Sequence, residues 1–202
     1  MARPRTVSDD DVAAATGRAL HRHGLAGTTL AAVAREVGIT PAGLVQRFGS
    51  KRDLLLAFAA RAEGATRASF TAARADAASP LGALHSALES LTAGVQDRAG
   101  LARSLGFLQL DLTDEAFRAL AAANARRARA EVEALLLEAV AAGELSADVD
   151  TAALARAVYV AYNGVLVLWA LLDESPLPDD LRTAVDAVLL PHRPPTEKGT
   201  SP

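Results

Sequence analysis

Apolar residues recur at helical spacing from Val12 almost to the end of the chain, and the interruptions of that pattern divide it into elements. Ser8 followed by Asp9, Asp10 and Asp11 reads as a cap and an acidic first turn, which suits the positive end of a helix dipole. This first helix should end at Gly24. Next, Leu30, Val33, Ala34 and Val37 fall at i, i+3, i+4 and i+7, the stripe of an amphipathic helix with Thr28 as a candidate cap and Gly38 as its stop. After the turn Gly38-Ile39-Thr40, Thr40 can cap a third helix that opens on Pro41, where a missing N–H costs nothing, and runs to about Phe48. Gly49 breaks it, and Ser50 caps a fourth helix carrying Leu54, Leu55, Phe58 and Ala59. Two short helices joined by a tight glycine-containing turn form a helix-turn-helix.

Beyond residue 54 helical patterns continue, punctuated at Ser79-Pro80, Ala99-Gly100, Leu112-Thr113, from Gly143 to Asp150, and at Ser175-Pro176-Leu177-Pro178. The pattern predicts an all-α protein of about nine helices. The helix-turn-helix falls in a three-helix domain over 1–53, a larger helical domain spans 54–190, and the polar, proline-rich residues 191–202 form a disordered tail.

Composition agrees with this picture and sharpens it. Half of the 202 residues are apolar but only 4% are aromatic, and the excess of Ala and Leu favours helices over sheets. With no cysteine, thiolate metal sites and cysteine nucleophiles are excluded. The N-terminus lacks the apolar core of a signal peptide, and the apolar run Ala157 to Leu172, only 16 residues long, falls short of a membrane span, so a cytoplasmic protein with a buried helix is expected. Charge is uneven. Residues 1–53 hold eight Lys and Arg against five acids, a balance of +3, so the remainder carries −6 within the overall −3. Only the front of the chain suits a polyanion.

The third helix carries the candidate chemistry. Leu44 and Phe48, four apart, set its buried face, so at about 100° per residue Ala42 and Gln46 point most directly outward, flanked by Gly43, Val45 and Arg47. Such a small, polar face admits close approach to a DNA groove. Gln46 can bond adenine through both amide atoms, Ala42 or Val45 can touch a thymine methyl, and Arg47 and Lys51 suit phosphates. Helix N-termini at Thr28-Thr29 and Ser50-Lys51 offer backbone N–H groups to further phosphates.

The stretch GTTLAAVAREVGITPAGLVQRFGSKRDLLLAF closely resembles the N-terminal DNA-binding region of TetR-family regulators, over residues 8 to about 60. Its most specific parts are Thr28-Thr29, the run Ala34 to Gly38, and Phe48-Gly49-Ser50-Lys51 followed by Leu54. Many members carry Gly-Thr where this chain has Ala42-Gly43, Tyr where it has Val45, and His where it has Arg47. The resemblance implies DNA contacts at Thr40, Gln46, Arg47 and Lys51, with Pro41 and Ala42 near base edges. It also implies a homodimer on an operator of approximate two-fold symmetry, paired through its last two helices (about Asp150 to Leu172 and Pro178 to Leu190), and a helical domain in which a small-molecule effector alters the spacing of the DNA-binding heads.

Polar and aromatic groups inside apolar helices are the effector-binding candidates: Phe107, Gln109, Tyr159, Tyr162, Asn163 and Trp169. Asn163 stands out because a buried amide needs partners. Few charges surround these positions, so a mainly apolar ligand is expected. His21 and His23, two apart, point to different faces, cannot chelate a metal as an i, i+4 pair, and should both be solvated. No metal ligand set, catalytic motif or cofactor loop is present, which leaves an enzyme little basis. The reading is a DNA-binding repressor released by an effector; the alternatives are an activator or partner-controlled regulator of the same fold, or a helical enzyme or carrier.

Overall fold

A computed structural model describes residues 7–172 and 174–194, and among them every regular element is helical. In chain order these are α1 (Asp9–Gly27), α2 (Leu30–Val37), α3 (Pro41–Phe48), α4 (Lys51–Ala59), α5 (Ala62–Asp76), α6 (Pro80–Ser90), α7 (Arg98–Leu105), α8 (Leu108–Thr113), α9 (Glu115–Ala141), α10 (Thr151–Leu172) and α11 (Leu177–Leu189), followed by a short 3-10 turn at Leu190–His192. Chain contacts group them into two units, residues 1–65 with 93–125, and 66–92 with 126–202.

In the first unit the capping rules act as the sequence suggests. Ser8 accepts from the Asp11 N–H at 3.1 Å while the Asp11 carboxylate accepts from the Ser8 N–H, a reciprocal capping box. Gly24 leaves helical geometry with φ +66°, so the chain kinks there before reaching Thr28. Val12, Ala15 and Ala19 of α1 pack with Val33 and Ala34 of α2, Leu44 of α3 and Leu54 of α4 around one core. Each apolar stripe therefore meets its counterparts, and the helix-turn-helix is held by burial rather than by the weak intrinsic stability of eight-residue helices.

This unit is larger than the division at 53/54 anticipates, for two reasons visible in its packing. Leu20, Leu55 and Phe117 form a second core, to which Phe58 and Phe107 add edge-on ring contacts at 6.1 and 5.6 Å between centroids. Arg52 also forks onto Asp114, with bonds of 2.9 to 3.2 Å, and lies 5.7 Å from the Phe117 ring centre. Residues near 107–117 thereby become part of the support of α4.

His21 corrects the expectation of a solvated side chain. Its ring packs against Gly100 of α7 so closely that a Cβ there would overlap it, and its Nε2 is buried without a hydrogen-bond partner, 3.7 Å from Asp97. Arg103 Nε donates to the His21 carbonyl at 2.8 Å. Glycine at 100 permits this approach of α7 to α1.

The second unit buries Phe70, Leu84, Val132, Leu135, Leu136, Val158, Leu181, Val185 and Leu189. Arg74 ties α5 to α9 through Glu131 and Glu138, at 2.9 and 3.0 Å, and His85 of α6 reaches Asp186 of α11 at 3.2 Å. α10 packs on α11. At 22 residues α10 starts earlier than the run read from sequence, and it is long and apolar enough, by length and composition, to cross a membrane. Nor is it buried all round: Leu154, Ala155, Val158 and Tyr162 face inward, while Val160, Val167, Leu168, Leu171 and Leu172 are exposed. The stretch expected to be disordered begins with an ordered turn, in which the His192 carbonyl accepts from the Ser146 N–H at 2.8 Å. The rest of that stretch, 195–202, lies outside the described residues.

Candidate nucleic-acid interface

The recognition surface is built from a turn and a wheel. Gly38 adopts the left-handed conformation, φ +78°, and its N–H and that of Ile39 both donate to the Ala34 carbonyl, at 2.9 and 3.0 Å. That closes α2 and reverses the chain into α3. Thr40 then accepts from the Gly43 N–H at 3.1 Å, and Pro41 opens the helix. Leu44 is wholly buried, whereas Pro41, Ala42, Val45, Gln46 and Arg47 are exposed and Gly43 is half-buried. The outward arc is the one the wheel places there. The Gln46 amide has no hydrogen-bond partner among the described residues, so both its donor and its acceptor are free for a base edge.

The threonine pair divides its labour in a way the sequence reading misassigns. Thr29, not Thr28, caps α2, accepting from the Ala32 N–H at 3.1 Å. Thr28 is fully buried, and its hydroxyl and its N–H both donate to the Gly24 carbonyl, at 2.7 and 3.0 Å. It has no donor left for a phosphate. The first-turn N–H groups of α2, at Leu30 and Ala31, lack intrahelical acceptors, as the geometry of any helix start requires.

Both basic candidates are engaged within the chain. The Lys51 ammonium donates to the carbonyls of Leu25 and Ala26, at 2.6 and 3.3 Å, and so closes the C-terminal end of α1. The Arg47 guanidinium donates to the Val7 carbonyl at 3.0 Å and pairs with Asp9, with its carbon 5.7 Å from the Phe48 ring centre. Nothing in residue spacing pairs position 9 with 47, so Asp9 is a member of this surface that sequence reading misses.

The effector candidates fall in both units. Phe107 and Gln109 lie in the first unit, Phe107 within an aromatic cluster and Gln109 exposed. Tyr159, Tyr162, Asn163 and Trp169 lie on α10. Tyr162 is buried and its hydroxyl pKa is pushed up by burial; its ring stacks on Tyr159 at 6.3 Å. Asn163, expected to be buried and in need of partners, is exposed, and its amide donates to the Tyr159 carbonyl at 2.8 Å. The Trp169 indole N–H donates to the Ser175 carbonyl at 2.8 Å. Two cavities, of about 40 and 150 Å3, are lined by other residues, among them Thr16 and Phe58 for the first, Arg74 and Ser79 for the second.

Comparison with known proteins decides the family. The model of bacterial regulatory proteins of the tetR family matches residues 12–58, and that of the tetracyclin repressor-like C-terminal domain matches 107–185. The chain belongs to the TetR family. TetR-family members are DNA-binding transcriptional regulators rather than enzymes, and ligand binding and dimerisation are typical of them. No curated protein matches the chain significantly. Among solved structures, a TetR regulator from Haloarcula marismortui is 23% identical with a TM-score of 0.72, over 91% of this chain and 97% of its own. SmeT, the repressor of the Stenotrophomonas maltophilia multidrug efflux pump SmeDEF, is 22% identical with a TM-score of 0.68, over 98% and 96%. A TetR-family regulator from Cytophaga hutchinsonii is 15% identical with a TM-score of 0.73, over 93% and 96%. At such identities these neighbours share the TetR fold with this chain.

Proposed function

We propose that this TetR-family protein is a cytoplasmic repressor that sits on a two-fold operator as a homodimer and leaves it when a small, mainly apolar molecule binds the helical domain. The observation that carries the DNA reading is the exposed arc Ala42, Val45 and Gln46 around a wholly buried Leu44. Thr29, Thr40, Pro41, Gly43, Arg47 and Lys51 surround this arc as contacts to the DNA backbone. The exposed apolar stripe of α10 supports pairing with a second copy through α10 and α11. For the effector the reading keeps the Tyr159 and Tyr162 pair. Release is a population shift, so the ligand must bind the form that does not fit DNA more tightly.

DNA selected from a random pool by the purified protein would define the operator. On it, Gln46→Ala should relax base preference, and Arg47→Ala should weaken binding to all sequences and flatten its salt dependence, by a slope of about 0.9 for each phosphate no longer neutralised. Lys51→Ala should do the same and also lower stability, since it frees the α1 carbonyls. Absence of DNA binding at low salt overturns the reading.

A further inference from the structure

Three successive acids open α1, and each has a different partner. Asp11 closes the capping box on Ser8, Asp10 pairs with Arg61 just after α4, and Asp9 pairs with Arg47 on the recognition helix. Only the last pairing engages a residue on the face proposed to meet DNA. Both terminal nitrogens of Arg47 are engaged: one donates to the Val7 carbonyl and the other pairs with the Asp9 carboxylate, with the guanidinium carbon 5.7 Å from the Phe48 ring centre. A guanidinium reads phosphate by the same fork that reads carboxylate. The Asp9 carboxylate therefore occupies the edge a phosphate would take, and being more than half exposed it also places a negative charge where a phosphodiester would approach.

We infer that Asp9 is an internal competitor for Arg47, standing in for a DNA phosphate and holding down the affinity of the recognition helix for the DNA backbone. This rests on the DNA-binding reading above. Binding then proceeds by exchange: the guanidinium leaves the carboxylate for a phosphate, and Asp9 turns to solvent. The pair lies at the surface, where such bonds contribute little to stability. Exchange is therefore easy, and the pairing acts on affinity more than on folding. The pairing lowers affinity for every sequence alike and leaves a base-specific contact at Gln46 untouched.

The test uses the full-length protein and a labelled mixed-sequence duplex of about 30 base pairs, titrated between about 50 and 200 mM salt. Asp9→Asn should tighten binding by about two- to fivefold per protomer at each salt concentration, the worth of one surface ion pair that no longer has to be broken, while the dependence of log K on log salt, set by the phosphates neutralised in the complex, stays close to that of the native protein. Asp10→Asn removes the same charge from the same turn but releases Arg61, and it should reproduce little of the gain. In an Arg47→Ala background, Asp9→Asn should lose most of its gain in affinity, since the carboxylate then has no guanidinium to hold. Circular dichroism melts of each variant establish that it is folded; were Asp9→Asn to unfold, Asp9→Ser, which keeps a short polar side chain, replaces it. Unchanged or weaker binding by Asp9→Asn overturns the inference, the weaker result marking Asp9 as a positioning residue for Arg47. An equal gain from Asp10→Asn overturns it too, leaving general charge as the cause. If the native protein binds no duplex at low salt, the fault lies instead with the DNA-binding reading.

Discussion

Single residues in this chain are defined by what they touch, and several touch something their neighbours in sequence do not suggest. Gly100 is the sharpest case: any Cβ there runs into the His21 ring. Gly100→Ala should destabilise the protein by about 1 to 3 kcal/mol in denaturant titrations, as overpacking does, and His21→Ala should restore most of the loss. Failure of the double variant to recover would show that the strain lies in the α7 backbone. Asp114 is tested through pH. Hydrogen bonds from Arg52, with help from the Ala116 N–H, hold its carboxyl below the usual carboxylate range. A depressed folded-state pKa adds stability above the ordinary carboxylate value of about 4 and loses it as the pH falls through the folded value. Asp114→Asn should therefore destabilise at about pH 7, and its gap from the native protein should close as the pH is lowered past about 4. An equal gap at both ends of that range would assign Asp114 a role independent of charge.

Elements were legible where local chemistry fixes them. Ser8, Thr40 with Pro41, Gly38 and Ser50 each act on backbone groups within four residues, so their effect can be read from spacing alone. The breaks at Ala60 and Gly106 were not legible. Neither carries a proline or a left-handed residue, and both take ordinary right-handed helical angles at the cap, so it is packing that turns the chain there. α10 shows the same limit in another form: hydrophobicity along it is nearly continuous, and only the fold separates its covered side from its bare one. On the bare side Val160 is 63% exposed and Leu171 66%. Replacing both with Lys should leave helix content unchanged while shifting the protein from dimer to monomer in sedimentation, with a large loss of operator affinity. A dimer that persists would place the interface between copies elsewhere.

At the scale of the whole molecule, the sequence carried the helix-turn-helix almost completely and the rest only in outline. The reason is range. The head is held by pairings within a stretch of about fifty residues and bears a recognisable motif, whereas residues 93–125 join it through Phe107, Phe117 and Asp114, which meet Leu55 and Arg52 from about sixty residues away in a way that no period announces. The effector candidates were the hardest to read, because a polar group in an apolar helix can find a backbone carbonyl, as Asn163 and Trp169 do. The division of the head into inward and outward residues has a practical reach. Thr28, Thr29, Leu44 and Lys51 hold the scaffold, and Ala42, Val45 and Gln46 touch only its surface. Operator preference should thus behave as a removable faceplate: exchanging the outward three for those of another TetR-family head should carry much of that head's target preference across without altering the melting temperature by more than a few degrees.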